Sequence, residues 1–379
     1  MTKTTIYLDC NATTPIEPEV QEEVLRYLAV EFGNSGSRTH DYGARAKKAV
    51  ERARDQVAAV VRAKHEEVIF TSGATESNNL AILGLAPHGE ASQRRHIVSS
   101  LIEHKAVLEP LEALGKRGFE VTLIRPNKGG WVEPLAIREA VREDTLLVSL
   151  MQANNETGVV QPICEVAEIL REHPAYLHVD AAQGFGKELA ALQNERIDFL
   201  SISGHKIYGP KGVGALIARR RGFKRPPLSP LFFGGGQERG LRPGTLPVPL
   251  VVGLGTAADL AMKHNDDRRA SCLKFRRTTM EMLQPLGPEI NGDPERMLPH
   301  VLNLSFPGVD SEALMVALKG TIAISNGSAC TSQSYEPSHV LRAMALPDQR
   351  IKGALRLSWC HMTETPNWNA VVQTIKGLR

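Results

Sequence analysis

A chain of 379 residues with 42% apolar and 23% charged residues and a formal net charge of +3 has the make-up of an ordinary folded globule, long enough for about two domains. That balance singles out neither nucleic acid nor a membrane surface as a partner. No window reaches the roughly 18 uninterrupted apolar residues of a membrane span, the best one (248–262) carrying Asp259, and no apolar signal run precedes Asp9, so neither spanning nor export is expected.

In chain order, Val20, Val24, Leu25 and Leu28 recur at helical spacing within residues 17–30. A polar turn at 32–37, containing Asn34, separates them from an alanine-rich helix at 42–62. Val68-Ile69-Phe70 reads as a strand that runs into Thr71-Ser72-Gly73-Ala74-Thr75 and an apolar helix through Leu85. Strand, small-residue turn and helix is the arrangement in which unpaired backbone N–H groups and the helix dipole hold a phosphate, with Thr75 adding a hydroxyl. A plain helix cap with Glu76 in its first turn accounts for the same residues equally well.

Strand-like segments follow at 96–99, 119–124, 145–150, 176–179, 199–202 and 213–218, with helical patterns at 105–114, 134–141 and 162–171 between them. This alternation predicts an α/β fold, a mostly parallel sheet covered by helices on both faces. Polar groups follow two of the strands: Glu103-His104 and Asn154-Asn155-Glu156.

The most informative stretch is Leu177-His178-Val179-Asp180-Ala181-Ala182-Gln183 with Phe199-Leu200-Ser201-Ile202-Ser203-Gly204-His205-Lys206. Each is a short buried strand ending in a polar turn, and the carboxyl ends of neighbouring strands open into one crevice. Asp180, Gln183, Ser203, His205 and Lys206 are therefore expected to share a pocket. A lysine amine and a carboxylate in one crevice suit pyridoxal phosphate, whose aldehyde needs an amine and whose ring nitrogen needs an acid. A buried ion pair is the plainer alternative.

Beyond Ala218 the texture changes. Arg219-Arg220-Arg221, Lys224 and Arg225 form a basic cluster, read as a solvated loop or as a docking point for an acidic partner. The glycines 234–236 precede no βαβ pattern and so are no dinucleotide fingerprint. Helices are predicted at 246–262, 266–283, 311–318 and from Glu364, and strands at 300–306 and 354–358. The five cysteines, Cys10, Cys164, Cys272, Cys330 and Cys360, are odd in number and far apart, which fits reduced thiols in a cytoplasmic protein and no metal centre. Cys330 alone lies among Ser, Gly and Thr, as expected of an exposed loop where a thiolate can react, and a plain loop cysteine accounts for the same texture equally well.

Taken together, Tyr7-Leu8-Asp9 with Asn11-Ala12-Thr13-Thr14-Pro15, Phe70 to Asn78, Glu103-His104, Asn154 to Gly158, His178 to Gln183, Ser203-Gly204-His205-Lys206, Arg242-Pro243-Gly244-Thr245 and Gly327-Ser328-Ala329-Cys330-Thr331-Ser332 closely resemble the cysteine desulfurases. These are class V aminotransferase-like enzymes with the type I pyridoxal-phosphate fold. The resemblance covers about residues 7–358 and the motifs occur in the family's order. It implies a large domain at 16–260 built on a mostly parallel, mixed seven-stranded sheet, and a smaller α+β domain formed by 1–15 and 261–379 that carries the cysteine loop.

The resemblance also implies roles. Lys206 is to carry the cofactor and then move the substrate's Cα proton, Asp180 to keep the ring nitrogen protonated, and His104 to stack on the ring and transfer a proton near the substrate thiol. Gln183 and Asn155 are to meet the ring oxygen. Ala74, Thr75, Ser203 and His205 are to bind the phosphate, joined by Thr245 from the second subunit of a homodimer. Arg356 is to grip the substrate carboxylate, with Asn34 and Asn155 nearby. L-cysteine is to yield L-alanine and a persulfide on Cys330, on a loop that faces the pocket first and an acceptor protein later.

The cysteine segment looks like the long-loop group, with Asn326 where serine is more usual. The chain ends at Arg379 without the longer tail that housekeeping iron–sulfur assembly members use for docking. An acceptor in iron–sulfur assembly, thio-modification or DNA phosphorothioation is expected. Competing readings are another type I enzyme such as a selenocysteine lyase or aminotransferase, a sulfur-carrying adaptor, and direct DNA binding through residues 219–225.

Overall fold

The computed structural model describes residues 5–327 and 337–379. Its strands are β1 (Ile6–Tyr7), β2 (Val68–Thr71), β3 (His96–Ser100), β4 (Glu120–Ile124), β5 (Thr145–Met151), β6 (Tyr176–Asp180), β7 (Phe199–Ser203), β8 (Gly214–Ala218), β9 (Glu289–Ile290), β10 (Val301–Ser305), β11 (Ile322–Ala323) and β12 (Ala354–Ser358). The main sheet runs β2-β8-β7-β6-β5-β3-β4, parallel throughout except for β8, which is antiparallel to both neighbours. This is the expected α/β fold, with a mixed, mostly parallel seven-stranded sheet.

These strands show no apolar–polar alternation in sequence because both faces are covered. Their side chains divide by period two between two cores. Val68, Phe70, Val98, Val148, Leu150, Leu200, Ile202, Ala215 and Ile217 pack into one core. Helices α1 (Pro18–Ala29), α2 (Asp41–Val60) and α7 (Val248–Lys263) cover this face, along with α5 (Pro134–Ala140) and α6 (Ile163–Ile169). Ile69, Ile97, Leu147, Phe199 and Leu216 point the other way, against α3 (Ala74–Ala91) and α4 (Lys105–Gly115). α3 is buried over most of its length and passes through Pro87, beyond the Leu85 limit predicted from sequence, because packing on β7 and β8 outweighs one lost backbone bond.

A separate core joins Leu8, Cys272, Leu283, Leu302, Leu304, Leu314, Leu355, Leu357, Trp359 and Trp368. It lies among α8 (Asn265–Leu283), α9 (Ser311–Ala317), the sheet β12-β10-β9 and the C-terminal helix Trp368–Lys376. β1 pairs with β11, tying the N-terminal segment to this part. The C-terminal helix starts at Trp368 and not at Glu364, because Pro366 interrupts and the Asn367 side chain caps by accepting from Ala370 N–H at 3.2 Å.

The basic cluster is not a solvated loop at 219–221. Arg219 is buried and donates to the carbonyls of Val61 (2.6 Å), Leu192 (2.8 Å) and Asn194. Arg221 pairs with Asp198 at 2.7 Å and Arg220 with Glu66 at 3.5 Å. Among the described residues no helix is long and apolar enough to cross a membrane.

Candidate active site

The carboxyl ends of β6 and β7 face the amino end of α3 across a cleft of about 520 Å³. Ala74, Thr75, His104, Asn155, Asp180, Gln183, Ser203, His205, Lys206 and Arg356 line it together, residues drawn from six separate stretches of sequence. Among the described residues no cluster suits a metal ion.

Lys206 ends the turn Gly204–Lys206 that follows β7, and its Nζ donates to the carbonyls of Asn11 at 2.5 Å and Ala12 at 2.7 Å. Gly204 is required there, since a Cβ would come within 2.9 Å of the Pro210 carbonyl oxygen. Asp180 closes β6. Its Oδ2 accepts from Asn78 Nδ2 at 2.8 Å and its Oδ1 from the Ala182 N–H at 3.0 Å, so the carboxylate is held rigidly with only part of its acceptor capacity used. Gln183 donates one N–H to Asn11 O at 3.0 Å and keeps a second.

At the entry to α3, Gly73 has φ +152° and lies close to the Ser203 hydroxyl, leaving a bare backbone cradle before an 18-residue helix. Glu76 in the first turn is turned away, accepting from Ser72 N–H at 2.7 Å and pairing with Arg242 at 2.9 Å. His205 contacts the Thr13 hydroxyl at 3.1 Å, and desolvation aided by Lys206 and Lys211 lowers its pKa to about 4, so it is neutral near pH 7. His104 caps α4, its Nδ1 accepting from Ala106 N–H at 3.1 Å.

Arg356 is buried on β12, donating to Asn155 O at 2.9 Å and to Asp9 at 2.6 Å. The Asp9 pairing was absent from the sequence reading, as were Asn11 and Asn78, which bind the backbone and carboxylate of the site. Asn34 departs from expectation. It does not approach Arg356 but shares with Thr245 a different cavity of about 210 Å³, because the loop before α2 folds toward the 237–246 segment. Cys330 lies outside the described residues.

Residues 6–367 match the class V aminotransferase family model. The chain is 44% identical over 377 residues to cysteine desulfurase IscS of Vibrio cholerae, spanning 99% of this chain and 92% of that protein. The crystal structure of DndA from Streptomyces lividans superposes with a TM-score of 0.82 at 51% identity, covering 94% and 98% of the two chains. A structure of SspA in complex with cysteine gives 0.83 at 36% identity, covering 95% and 100%. This chain belongs to the cysteine desulfurase family.

A desulfurase of this family takes sulfur from L-cysteine with pyridoxal 5'-phosphate as cofactor, and the residues present fit that group. A phosphate finds the glycine cradle and helix start at Gly73-Ala74-Thr75. A ring nitrogen finds the Asp180 carboxylate, and an aldehyde finds the Lys206 amine. The buried oxygens of Asn11, Asn78 and Gln183, which find no hydrogen-bond partner among the described residues, fit a polar space for a ligand.

Proposed function

We propose that Lys206 carries the cofactor, that Asp180 holds the proton on its ring nitrogen, and that Cys330 receives the sulfur. The observation supporting this most is the arrangement of one cleft: a lysine amine seated on two backbone carbonyls, a carboxylate fixed by Asn78 and Ala182, and a buried arginine fork, Arg356. When bound, pyridoxal 5'-phosphate supplies an electron-withdrawing ring that acidifies the substrate Cα and weakens its Cβ–sulfur bond.

The chain's own groups do the rest. Arg356 holds the substrate carboxylate, and Asp9 keeps the fork aligned before substrate arrives. The Lys206 amine removes the Cα proton and later returns one. His104 manages the proton of the substrate thiol. The Cys330 thiolate attacks the substrate sulfur, so the Cβ–S bond breaks as the S–S bond forms, giving a persulfide and, after protonation, L-alanine. Ala74, Thr75, Ser203 and His205 hold the phosphate, and Gln183 and Asn155 border the ring oxygen.

Asn34 and Thr245 lie too far around the surface to serve their own cleft, and we assign them to the partner's cleft in a homodimer. The exposed Phe32, Phe232 and Phe233, near these residues in sequence, support this, since large apolar side chains on a surface call for cover. We divide the chain into a cofactor-binding domain at 16–260 and a smaller domain formed by 1–15 and 261–379, in keeping with their separate cores. Of the acceptors considered, one serving DNA phosphorothioation is proposed, because identity to DndA, 51%, exceeds the 44% to IscS of Vibrio cholerae.

Incubating the yellow holoenzyme with labelled cysteine and mapping the label tests the reading. Label is expected on Cys330 as a persulfide, and Cys330→Ser is expected to keep its colour but lose sulfur release. Undiminished sulfur release by that variant would refute it and favour a lyase that needs no protein thiol.

A further inference from the structure

Behind the cleft lies a second group of reactive side chains that the desulfurase chemistry leaves unused. Cys10 and Cys360 pack together with Tyr208 in a small buried core of their own. Cys272 is close to both, and the Lys187 amine approaches all three sulfurs while contacting His300 at 3.2 Å. Cys10 and Cys360 are joined through backbone as well. The Cys10 N–H donates to Ser358 O at 3.0 Å, and Asp9 bridges Ser358 in parallel. With Asp9 opposite Ser358, Cys10 and Cys360 stand one residue off register, a diagonal of about 6 Å from strand spacing and rise, within the Cα separation of roughly 4.4–6.8 Å that a disulfide tolerates.

We propose that Cys10 and Cys360 form a reversible redox pair whose oxidation to a disulfide disturbs the seat of Lys206. The reading rests on Lys206 as the cofactor lysine. Cys360 is the more reactive sulfur, since it accepts from the Thr363 hydroxyl at 3.5 Å while packed against Cys10. The neighbouring Cys10 thiol draws its pKa down, while the same contact and burial push that of Cys10 up. A small peroxide is the oxidant. The Cys360 thiolate attacks a peroxide oxygen, giving a sulfenic acid and, with one proton, water. The Cys10 sulfur then displaces the hydroxyl as a second water, so two thiols and one peroxide yield one disulfide and two waters.

The coupling to function is short. Cys10 is followed directly by Asn11 and Ala12, whose carbonyls hold Lys206 Nζ, and Asn11 O also holds Gln183. Cys360 follows Ser358, whose hydroxyl accepts from Asn11 N–H at 2.9 Å, and stands four residues beyond Arg356. Closing two thiols from contact to the bond length of about 2.05 Å pulls these segments together, and a shift of about 1 Å in a catalytic group can cost on the order of 100-fold in rate.

The holoenzyme, treated with hydrogen peroxide, blocked with a thiol alkylator and digested with trypsin, gives the answer. The expected product is a cross-link between peptides 4–26 and 357–376, two hydrogens lighter than their sum and opened by dithiothreitol. It is to appear in parallel with a drop in activity of tenfold or more that dithiothreitol restores. Cys10→Ala and Cys360→Ala are each expected to lack the cross-link and to resist that reversible loss. Both peptides alkylated as free thiols after peroxide, or over-oxidised without a cross-link, would overturn the proposal. So would a cross-link that leaves activity unchanged. Peptide mapping of the wild type decides the first point even where a variant misfolds, and it reads the bond whether or not Lys206 carries the cofactor.

Discussion

Glu103, next to His104, offers a quantitative test of how the site is built. Its side chain is completely buried, with Oε1 accepting from the Ser100 hydroxyl at 2.7 Å and the Met151 N–H at 2.9 Å. Its Oε2 finds no partner among the described residues. Desolvation, with a contribution from nearby Asp180, raises its pKa from 4.5 to about 8. The folded protein therefore keeps this proton where the unfolded chain releases it. The associated stability is present in full below pH 4.5 and is lost as pH rises to about 8. Over that interval, at about 1.4 kcal/mol per pH unit, the loss approaches about 5 kcal/mol.

Glu103→Gln cannot ionise. Its new N–H₂ group shifts stability by a constant of about 1–3 kcal/mol, so the slope and not the offset carries the information. Urea unfolding of both proteins from pH 5 to 9, at fixed cofactor concentration, should show wild type losing stability relative to the variant as pH rises, at about 1.4 kcal/mol per unit up to pH 8. Parallel curves would mean that Glu103 is ionised when folded and would refute the reasoning. A neutral Glu103 also leaves Asp180 as the one carboxylate committed to the cofactor ring, a separation of two acids by environment.

Arg356→Lys keeps the charge but loses the planar fork, and KM for cysteine is expected to rise about tenfold or more while the cofactor's absorbance stays unchanged; an unaltered KM would remove Arg356 from substrate binding. Arg54 and Glu238 form a buried pair at 2.7 Å that holds the 237–246 segment against β2, and Arg54→Met should cost about 3–5 kcal/mol in urea unfolding through the stranded carboxylate. His178, fully buried between the Ser149 and Ser201 hydroxyls, has its pKa lowered to about 4 by desolvation, so stability should fall on acidification from pH 6.5 to 4, and His178→Gln should flatten that part of the profile. Because Arg219 and Arg221 are engaged by carbonyls and Asp198, fluorescence anisotropy with duplex DNA should find no affinity that the double alanine variant abolishes; a specific, salt-dependent complex would contradict this.

Much of the sheet was legible because strands buried on both faces leave continuous apolar runs, and because polar residues just past β6 and β7 point to the crevice. The partners of those residues were not legible. Asp9 meets Arg356 across 347 positions, and Asn78 meets Asp180 across 102. No local pattern links them, and only the closure of the two parts of the chain brings them together. Arg219-Arg220-Arg221 misled for the opposite reason, as a charge run looks the same in sequence whether it meets water or buried carbonyls. That Asn34 lines a different cavity of its own chain was not legible either, because a residue name within a motif does not say which cavity its loop will reach.

The cleft presents two lysines, Lys206 on the floor and the exposed Lys211 at its edge. Borohydride reduction of the holoenzyme followed by peptide mapping therefore decides which amine carries the cofactor. The pyridoxyl group is predicted on Lys206 alone, with Lys211 unmodified. Its recovery on Lys211, or on neither residue, would contradict the account.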